Sequence, residues 1–302
     1  MLNARLIVNP AAGAGRTAKK WPKIRDLLKH IGLHFEHDLT EAPGHAIELA
    51  KTAAAKGYEL IVSVGGDGTI NEVVNGMYEA GSTQDVTLGI ISTGTGSDYA
   101  RTIGISPHQQ EACQCLLHPR QTTVDLGVLE YTSNSHRTKR LFVNFAGLGF
   151  ATEVVKATTQ KFKFLGGMPS YLTGLLSTFL LYKNKEITLR LDGVEEKRNI
   201  CTVMMNNGKY GGGSMLVAPD ADLRDGLLDV LIIDALSKAD LLCSLPRIYK
   251  GTHLTHPKVS LKKAKMIEIE AKQKMFLQAD GELLGETPAR AYVMPAALKI
   301  IT

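Results

Sequence analysis

The chain has 302 residues, 44% of them hydrophobic and 22% charged, with a net charge of +5. That length exceeds one comfortable core and makes two domains the expectation. The mild, diffuse positive charge gives no case for nucleic acid and favours nucleotides or an acidic bilayer surface as partners.

Four cysteines (Cys113, Cys115, Cys201, Cys243) show no C-x-x-C spacing and read as inert thiols in a reducing compartment. The start, Met1-Leu-Asn-Ala-Arg-Leu-Ile-Val, lacks the charged lead and apolar core of a signal peptide. No apolar run reaches the roughly 18 residues of a spanning helix, so a cytoplasmic protein is expected.

In chain order, Arg5–Val8 reads as a strand ending in the turn Asn9-Pro10-Ala-Ala-Gly13-Ala-Gly15-Arg16, with a helix from about Thr17 to His30. Leu33–Leu39 alternates as a strand, Thr40 follows it, and His45–Lys56 reads as a helix stopped by Gly57. The central stretch is Leu60-Ile-Val-Ser-Val-Gly65-Gly66-Asp67-Gly68-Thr69-Ile-Asn71-Glu72. A buried strand breaks at glycines there, and a helix restarts at Thr69. Glycines let backbone approach a phosphate, and a helix N-terminus aims N–H groups and partial positive charge at it. Thr69 and Glu72 fit a capping box. Asp67 fits no such bland role; beside a phosphate it calls for a divalent cation.

Val86–Ser92 is the next strand, ending at Thr93-Gly94-Thr95-Gly96-Ser97-Asp98-Tyr99-Ala100-Arg101, and Ser106-Pro107 opens a helix through Leu117. Strands alternating with helices over residues 1–125 predict a doubly wound α/β nucleotide-binding domain with ligands at the carboxyl ends of its strands. The texture changes near Gln121, and from there to about Arg290 strands dominate, with the β-rich domain expected at 126–290: Thr122–Tyr131, Leu141–Phe145, Ile187–Leu191, Cys201–Asn206, Leu227–Asp234, Val259–Ala271 and Lys274–Ala279, with a hairpin at Asp192-Gly193. Helices are expected at Tyr171–Tyr182 and Lys238–Tyr249. An antiparallel β-sandwich or barrel follows. Residues 291–302 either close it or return to the first domain.

The turn at Asn9-Pro10, Gly65-Gly-Asp-Gly-Thr69 with Asn71-Glu72, Gly94-Thr-Gly-Ser-Asp98-Tyr-Ala-Arg101 and the late Asp280-Gly-Glu282 together resemble the bacterial diacylglycerol kinase catalytic family, which includes soluble lipid kinases related to sphingosine and ceramide kinases. The resemblance runs from about Arg5 to the C-terminus. It implies ATP and Mg²⁺ as cofactors, bound in a cleft between the domains. The nucleotide would be touched by Asn9, Pro10, Gly13, Thr40, Gly65, Gly66, Asp67, Gly68, Thr69, Asn71 and Thr95. Asp67, Asp98 and Asp125 would form a charged cluster near phosphates and metal, and Asp280 or Glu282 would be the catalytic base. A structural Mg²⁺ would be held around Asp222, Asp225 and Leu227, partly by backbone carbonyls. Relatives carry asparagine where this chain has Ser97, which loses an amide donor at the nucleotide.

Phosphoryl transfer to a hydroxyl needs a cradle, a metal and a base. If Asp280–Glu282 is extended, its two acids lie on one face; the alternative is a simple turn at Asp280-Gly281. Asp98 has an alternative role as a helix cap, and the acids at 222, 225 and 229 as a solvated loop. On the acceptor side, Lys156, Lys161 and Lys163 precede Phe164-Leu165-Gly-Gly-Met168 and the apolar positions Tyr171, Leu172, Leu175, Leu176, Phe179 and Leu180. That pattern suits either docking of a basic, apolar face on the inner membrane surface or packing of one helix face on the β domain. The expected function is ATP- and Mg²⁺-dependent transfer to a lipid hydroxyl, direct and without a phosphoenzyme. The alternatives are an NAD kinase-type small-molecule kinase and a catalytically silent nucleotide-binding regulator. No nucleic acid partner is expected, and a homodimer is left open.

Overall fold

The computed structural model describes residues 3–117, 119–133, 136–161 and 167–302, without the side chains of 167–169, 171 and 245. The expected positions Lys163, Phe164 and Leu165 lie outside the described residues, as do the side chains of Met168 and Tyr171. The chain forms two compact units, Met1–Leu126 with Pro295–Thr302, and Gly127–Met294.

The first unit runs β1 (Ala4–Val8), α1 (Arg16–His30), β2 (Phe35–Leu39), α2 (His45–Ala55), β3 (Leu60–Gly65), α3 (Asp67–Glu79), β4 (Thr87–Ser92), α4 (Asp98–Thr102) and α5 (Gln109–Cys115). Its strands pair in parallel in the order β4-β3-β1-β2. β3 is buried along its whole length, as a strand covered on both faces must be. Leu6, Val8, Val62, Val64 and Ile91 pack with Trp21, Ile24 and Leu28 of α1. The order reverses between β1 and β3, which makes their carboxyl ends the crevice where doubly wound sheets bind ligands.

Two expectations about helix starts are corrected. α3 begins at Asp67, not Thr69, so Thr69 sits inside its first turn and no capping box with Glu72 forms. α5 begins at Gln109 rather than Ser106; the Ser106 hydroxyl instead accepts the His108 N–H and donates to Glu111.

The second unit contains most of β5 (Gln121–Ser133), then β6 (His136–Phe142), β7 (Phe145–Gly149), α6 (Phe150–Lys156) with a π turn at Ala157–Lys161, α7 (Gly167–Leu181), β8 (Lys185–Leu191), β9 (Val194–Asn206), a short ribbon of β10 (Tyr210–Gly211) and β11 (Met215–Leu216), β12 (Leu228–Asp234), α8 (Lys238–Tyr249), β13 (Val259–Ala264), β14 (Met266–Ala271), β15 (Phe276–Ala279) and most of β16 (Glu282–Ile301). Its antiparallel pairings close on themselves, β9-β8-β14-β16-β15-β7 and back to β9, so these strands form a barrel. Leu148, Leu189, Val203, Ile269, Leu277 and Ala291 fill it. β12 and β13 extend the ladder from β9. Asp192 and Gly193, with φ of 47° and 87°, make the expected two-residue hairpin between β8 and β9.

Two strands read as continuous are split, and a carboxylate does the splitting each time. The Asp192 side chain accepts the N–H groups of Lys265 and Met266, which divides Val259–Ala271 into β13 and β14. Asp280 does the same at Val143 and Asn144, dividing Leu141–Phe145.

β16 runs unbroken through residue 290, and its end belongs to the first unit. There Ile300 pairs in parallel with Leu88, and the Lys299 N–H donates to the Thr83 carbonyl.

Candidate active site

In the first unit the ends of β1, β3 and β4 surround a cavity of about 430 Å³. Of the expected nucleotide contacts, Asn9, Gly13, Thr40, Gly66, Asp67, Gly68, Thr69 and Thr95 line it. Pro10, Gly65 and Asn71 do not. Asn71 is buried in α3, where the Asn75 amide donates to its side-chain oxygen. Gly65 serves the wall behind the cavity: a Cβ there would come within 2.4 Å of the Thr69 hydroxyl. Gly94 lets two loops touch, since its Cβ would fall 2.6 Å from Gly66 Cα. Gly68, by contrast, faces open space.

Asn9 ties the walls together. Its amide donates to Thr69 Oγ1 at 3.0 Å while its oxygen accepts the Ala11 N–H at 3.1 Å. The first-turn N–H groups of α3, which have no partner within the helix, begin at this cavity.

Asp67 has the local role that the sequence denied it. Its carboxylate accepts the N–H groups of Asp98 and Tyr99 at 3.2 and 2.9 Å, capping α4. Burial pushes its pKa up, opposed by the Tyr99 N–H and reinforced by the nearby Asp98 carboxylate. Asp98 is therefore a helix residue being capped, not the cap itself. Asp125 is engaged at the returning strand, where its buried carboxylate accepts the Ala296 N–H at 2.7 Å. Glu72 caps a different helix: its two oxygens accept the N–H groups of Gly44 and Ala46 at the start of α2.

In the second unit, Asp280 and Gly281 form a turn with φ of 46° and 86°, and Ala279 pairs with Glu282. The extended arrangement with both acids on one face is not what the chain adopts. Asp280 accepts three backbone N–H groups, from Val143, Asn144 and Phe145, at 2.7 to 2.9 Å. The Glu282 side chain is 37% exposed and bonded to Arg140 Nη2 at 2.8 Å.

The diacylglycerol kinase catalytic domain matches residues 3–129, and the YegS C-terminal NAD kinase beta sandwich-like domain matches residues 146–302. A diacylglycerol kinase of Bacillus subtilis is 30% identical over 95% of this chain and 92% of its own. This chain belongs to the diacylglycerol kinase family. A diacylglycerol kinase of Mycobacterium tuberculosis is likewise 30% identical, over 98% of this chain and 93% of its own. A Bacillus anthracis crystal structure provisionally described as a diacylglycerol kinase superposes with a TM-score of 0.80 at 27% identity, covering 99% of this chain and 94% of that one.

The cavity suits the Mg²⁺–nucleotide complex that a kinase of this family implies. Among the described residues no three His, Cys, Asp or Glu side chains converge to hold a metal by themselves, and Mg²⁺ ordinarily takes one or two carboxylates plus phosphate oxygens. Asp67 supplies such a carboxylate.

The segment expected to hold a structural Mg²⁺ does not fit one. Asp225 accepts the Leu227 N–H through Oδ1 at 3.0 Å and bonds Lys263 Nζ through Oδ2 at 2.5 Å. Asp222 turns to Arg224, accepting its N–H at 3.1 Å. Buried Asp229 lies 3.7 Å from the same lysine. A divalent ion on these carboxylates would sit against an ammonium already in place.

Sequence reasoning missed Arg140 and Lys263, which neither motif nor spacing marks. Only the register of their strands brings them to an acid.

Proposed function

We propose that this kinase transfers the γ-phosphate of ATP to the hydroxyl of a lipid, diacylglycerol or a related one. The observation that carries the reading is the cavity itself, where the start of α3, Asp67 and the Asn9–Thr69 bond meet at the carboxyl ends of β1 and β3. The first turn of α3 offers N–H donors to the phosphates, and Gly68 leaves them room. Mg²⁺, arriving with the nucleotide, would offset the phosphate charge, with Asp67 as its carboxylate.

Glu282 is the base in this reading. Asp280 already accepts three N–H groups and holds the Val143–Phe145 turn, whereas Glu282 is partly exposed with one oxygen steadied by Arg140. Its carboxylate takes the proton of the lipid hydroxyl as that oxygen attacks the phosphorus in line. The proton moves to Glu282 and the electrons of the broken bond leave with the nucleoside diphosphate. Asp98 and Asp125 act in this scheme by position: one on the helix that Asp67 caps, the other clamping the returning strand.

A lipid acceptor implies work at a bilayer, and α7 supports that. Leu175 and Phe179 pack inward beside Phe150, Val154 and Cys201. Leu172, Leu176, Leu180 and Leu181, on the other side of the same helix, are 54 to 75% exposed. α7 carries no charged residue, and exposed Lys161 and Lys183 flank it in sequence. An apolar face with lysines on either side of it in the sequence suits an anionic membrane surface; in this reading one face of α7 packs on the β domain and the other meets the bilayer. Among the described residues no helix is long and apolar enough to cross a membrane.

The test is radiolabelled ATP with a panel of diacylglycerol, phosphatidylglycerol, sphingosine, ceramide, polyprenol and NAD. Label appearing on a lipid supports the reading. Label on NAD alone, or on nothing, overturns it. Co-sedimentation with vesicles containing or lacking anionic lipid tests the membrane part, and no binding to either removes it.

A further inference from the structure

The structure assigns to Lys263 the charge-neutralising role that a bound divalent ion would play under the loop 220–227. The assignment rests on strand register. β12 and β13 are antiparallel with Asp229 directly opposite Lys263, so the ammonium is delivered to that carboxylate by the ladder itself. Asp229 is 2% exposed, and its Oδ1 has no hydrogen-bond partner. On its other side stands Asn206, whose amide donates to the Asp229 carbonyl rather than to the carboxylate. A buried carboxylate without a counter-charge is strongly disfavoured, and Lys263 at 3.7 Å supplies one.

The same ammonium reaches the loop. Asp225 is fixed by accepting the Leu227 N–H through Oδ1, which leaves Oδ2 to bond Lys263 at 2.5 Å. One cation thus ties the loop to the sheet, the work a structural metal does when backbone and carboxylate oxygens converge on it. Lys263 is covalently part of the chain, so this unit keeps its fold without a divalent ion. The inference concerns stability alone and is independent of the proposed reaction.

The test uses the full chain, dialysed against EDTA and checked for metal by elemental analysis, then melted with and without added MgCl2 or CaCl2. The wild type is expected to melt within about 1 °C under all conditions, a difference smaller than one ordinary interaction makes in a domain of this size. K263M is expected to melt roughly 5 °C or more lower in EDTA, as leaving the buried Asp229 carboxylate without its counter-charge requires, and to recover part of that loss in MgCl2. K263R, which keeps the charge, is expected to stay close to wild type. A wild-type melting point that falls on chelation and returns with Mg²⁺ overturns the assignment, and so does a K263M protein that melts like wild type in EDTA. If K263M cannot be obtained folded, the wild-type chelation series and K263R decide the matter.

Discussion

Asp280 and Phe145 hold each other by two reciprocal bonds. The Asp280 carboxylate accepts the Phe145 N–H, and the Asp280 N–H donates to the Phe145 carbonyl, both at 2.9 Å. With Val143 and Asn144 also donating to it, Asp280 is the organiser of the turn between β6 and β7, and Glu282 two residues on is held by Arg140 instead. The two acids should therefore fail differently. D280A is expected to lose about 3 kcal/mol of stability in urea unfolding, because three N–H donors lose their acceptor. E282Q is expected to unfold within about 0.5 kcal/mol of wild type yet to lose about 100-fold or more in kcat for lipid phosphorylation. Equal loss of kcat with no loss of stability in D280A would return Asp280 to the role of base.

Glu72 lines the cavity at the ends of β1 and β3, but both its oxygens are spent on the start of α2. E72A is expected to cost about 1 kcal/mol, as loss of a helix cap does. Its KM for ATP should stay near wild type. A tenfold rise in that KM with unchanged stability would show that Glu72 works on the nucleotide.

Gly94 is where the second glycine loop touches the first. A Cβ there would lie 2.6 Å from Gly66 Cα, so one loop must move. G94A is expected to lose about 1 to 3 kcal/mol by overpacking and to raise the KM for ATP. G68A, where a Cβ meets nothing within 4 Å of the protein, should leave stability nearly unchanged and report only on the room left for phosphate.

His253 provides a pH test. It is buried, its Nε2 donates to the Val217 carbonyl at 3.1 Å, and its Nδ1 has no hydrogen-bond partner. Burial pushes its pKa below the ordinary 6.5, against a smaller opposing pull from Val217. The unfolded chain therefore binds the proton first as pH falls. The stability contributed by neutral His253 is full above about pH 6.5 and drains away as pH drops through the lowered folded value. Wild type should lose more of its melting temperature between pH 7.5 and 5.5 than H253Q does. Parallel losses in the two proteins would remove His253 as the cause.

The sequence alone determined the alternation of strand and helix in the first unit, the glycine turns at its strand ends, the β-rich texture from about Gln121 and the Asp192-Gly193 hairpin. These are local properties, written in periodicity, turn chemistry and the absence of side chains. Most of the cavity wall was legible for the same reason, since Asn9, Gly13, Thr40, Gly66–Thr69 and Thr95 each follow a strand, and doubly wound sheets gather such ends.

What the acids do was decided only by tertiary structure. A carboxylate binds whatever donor the fold brings within reach, and those donors come from far along the chain: α4 for Asp67, α2 for Glu72, the end of β16 for Asp125, the Val143–Phe145 turn for Asp280 and β13 for Asp225 and Asp229. The spacing of Asp280 and Glu282 suggested a shared face because an extended segment was assumed. A turn with positive φ at both Asp280 and Gly281 sends them to different partners. Lys263 carries no motif at all, and only the pairing of β12 with β13 makes it the counter-charge of a buried acid.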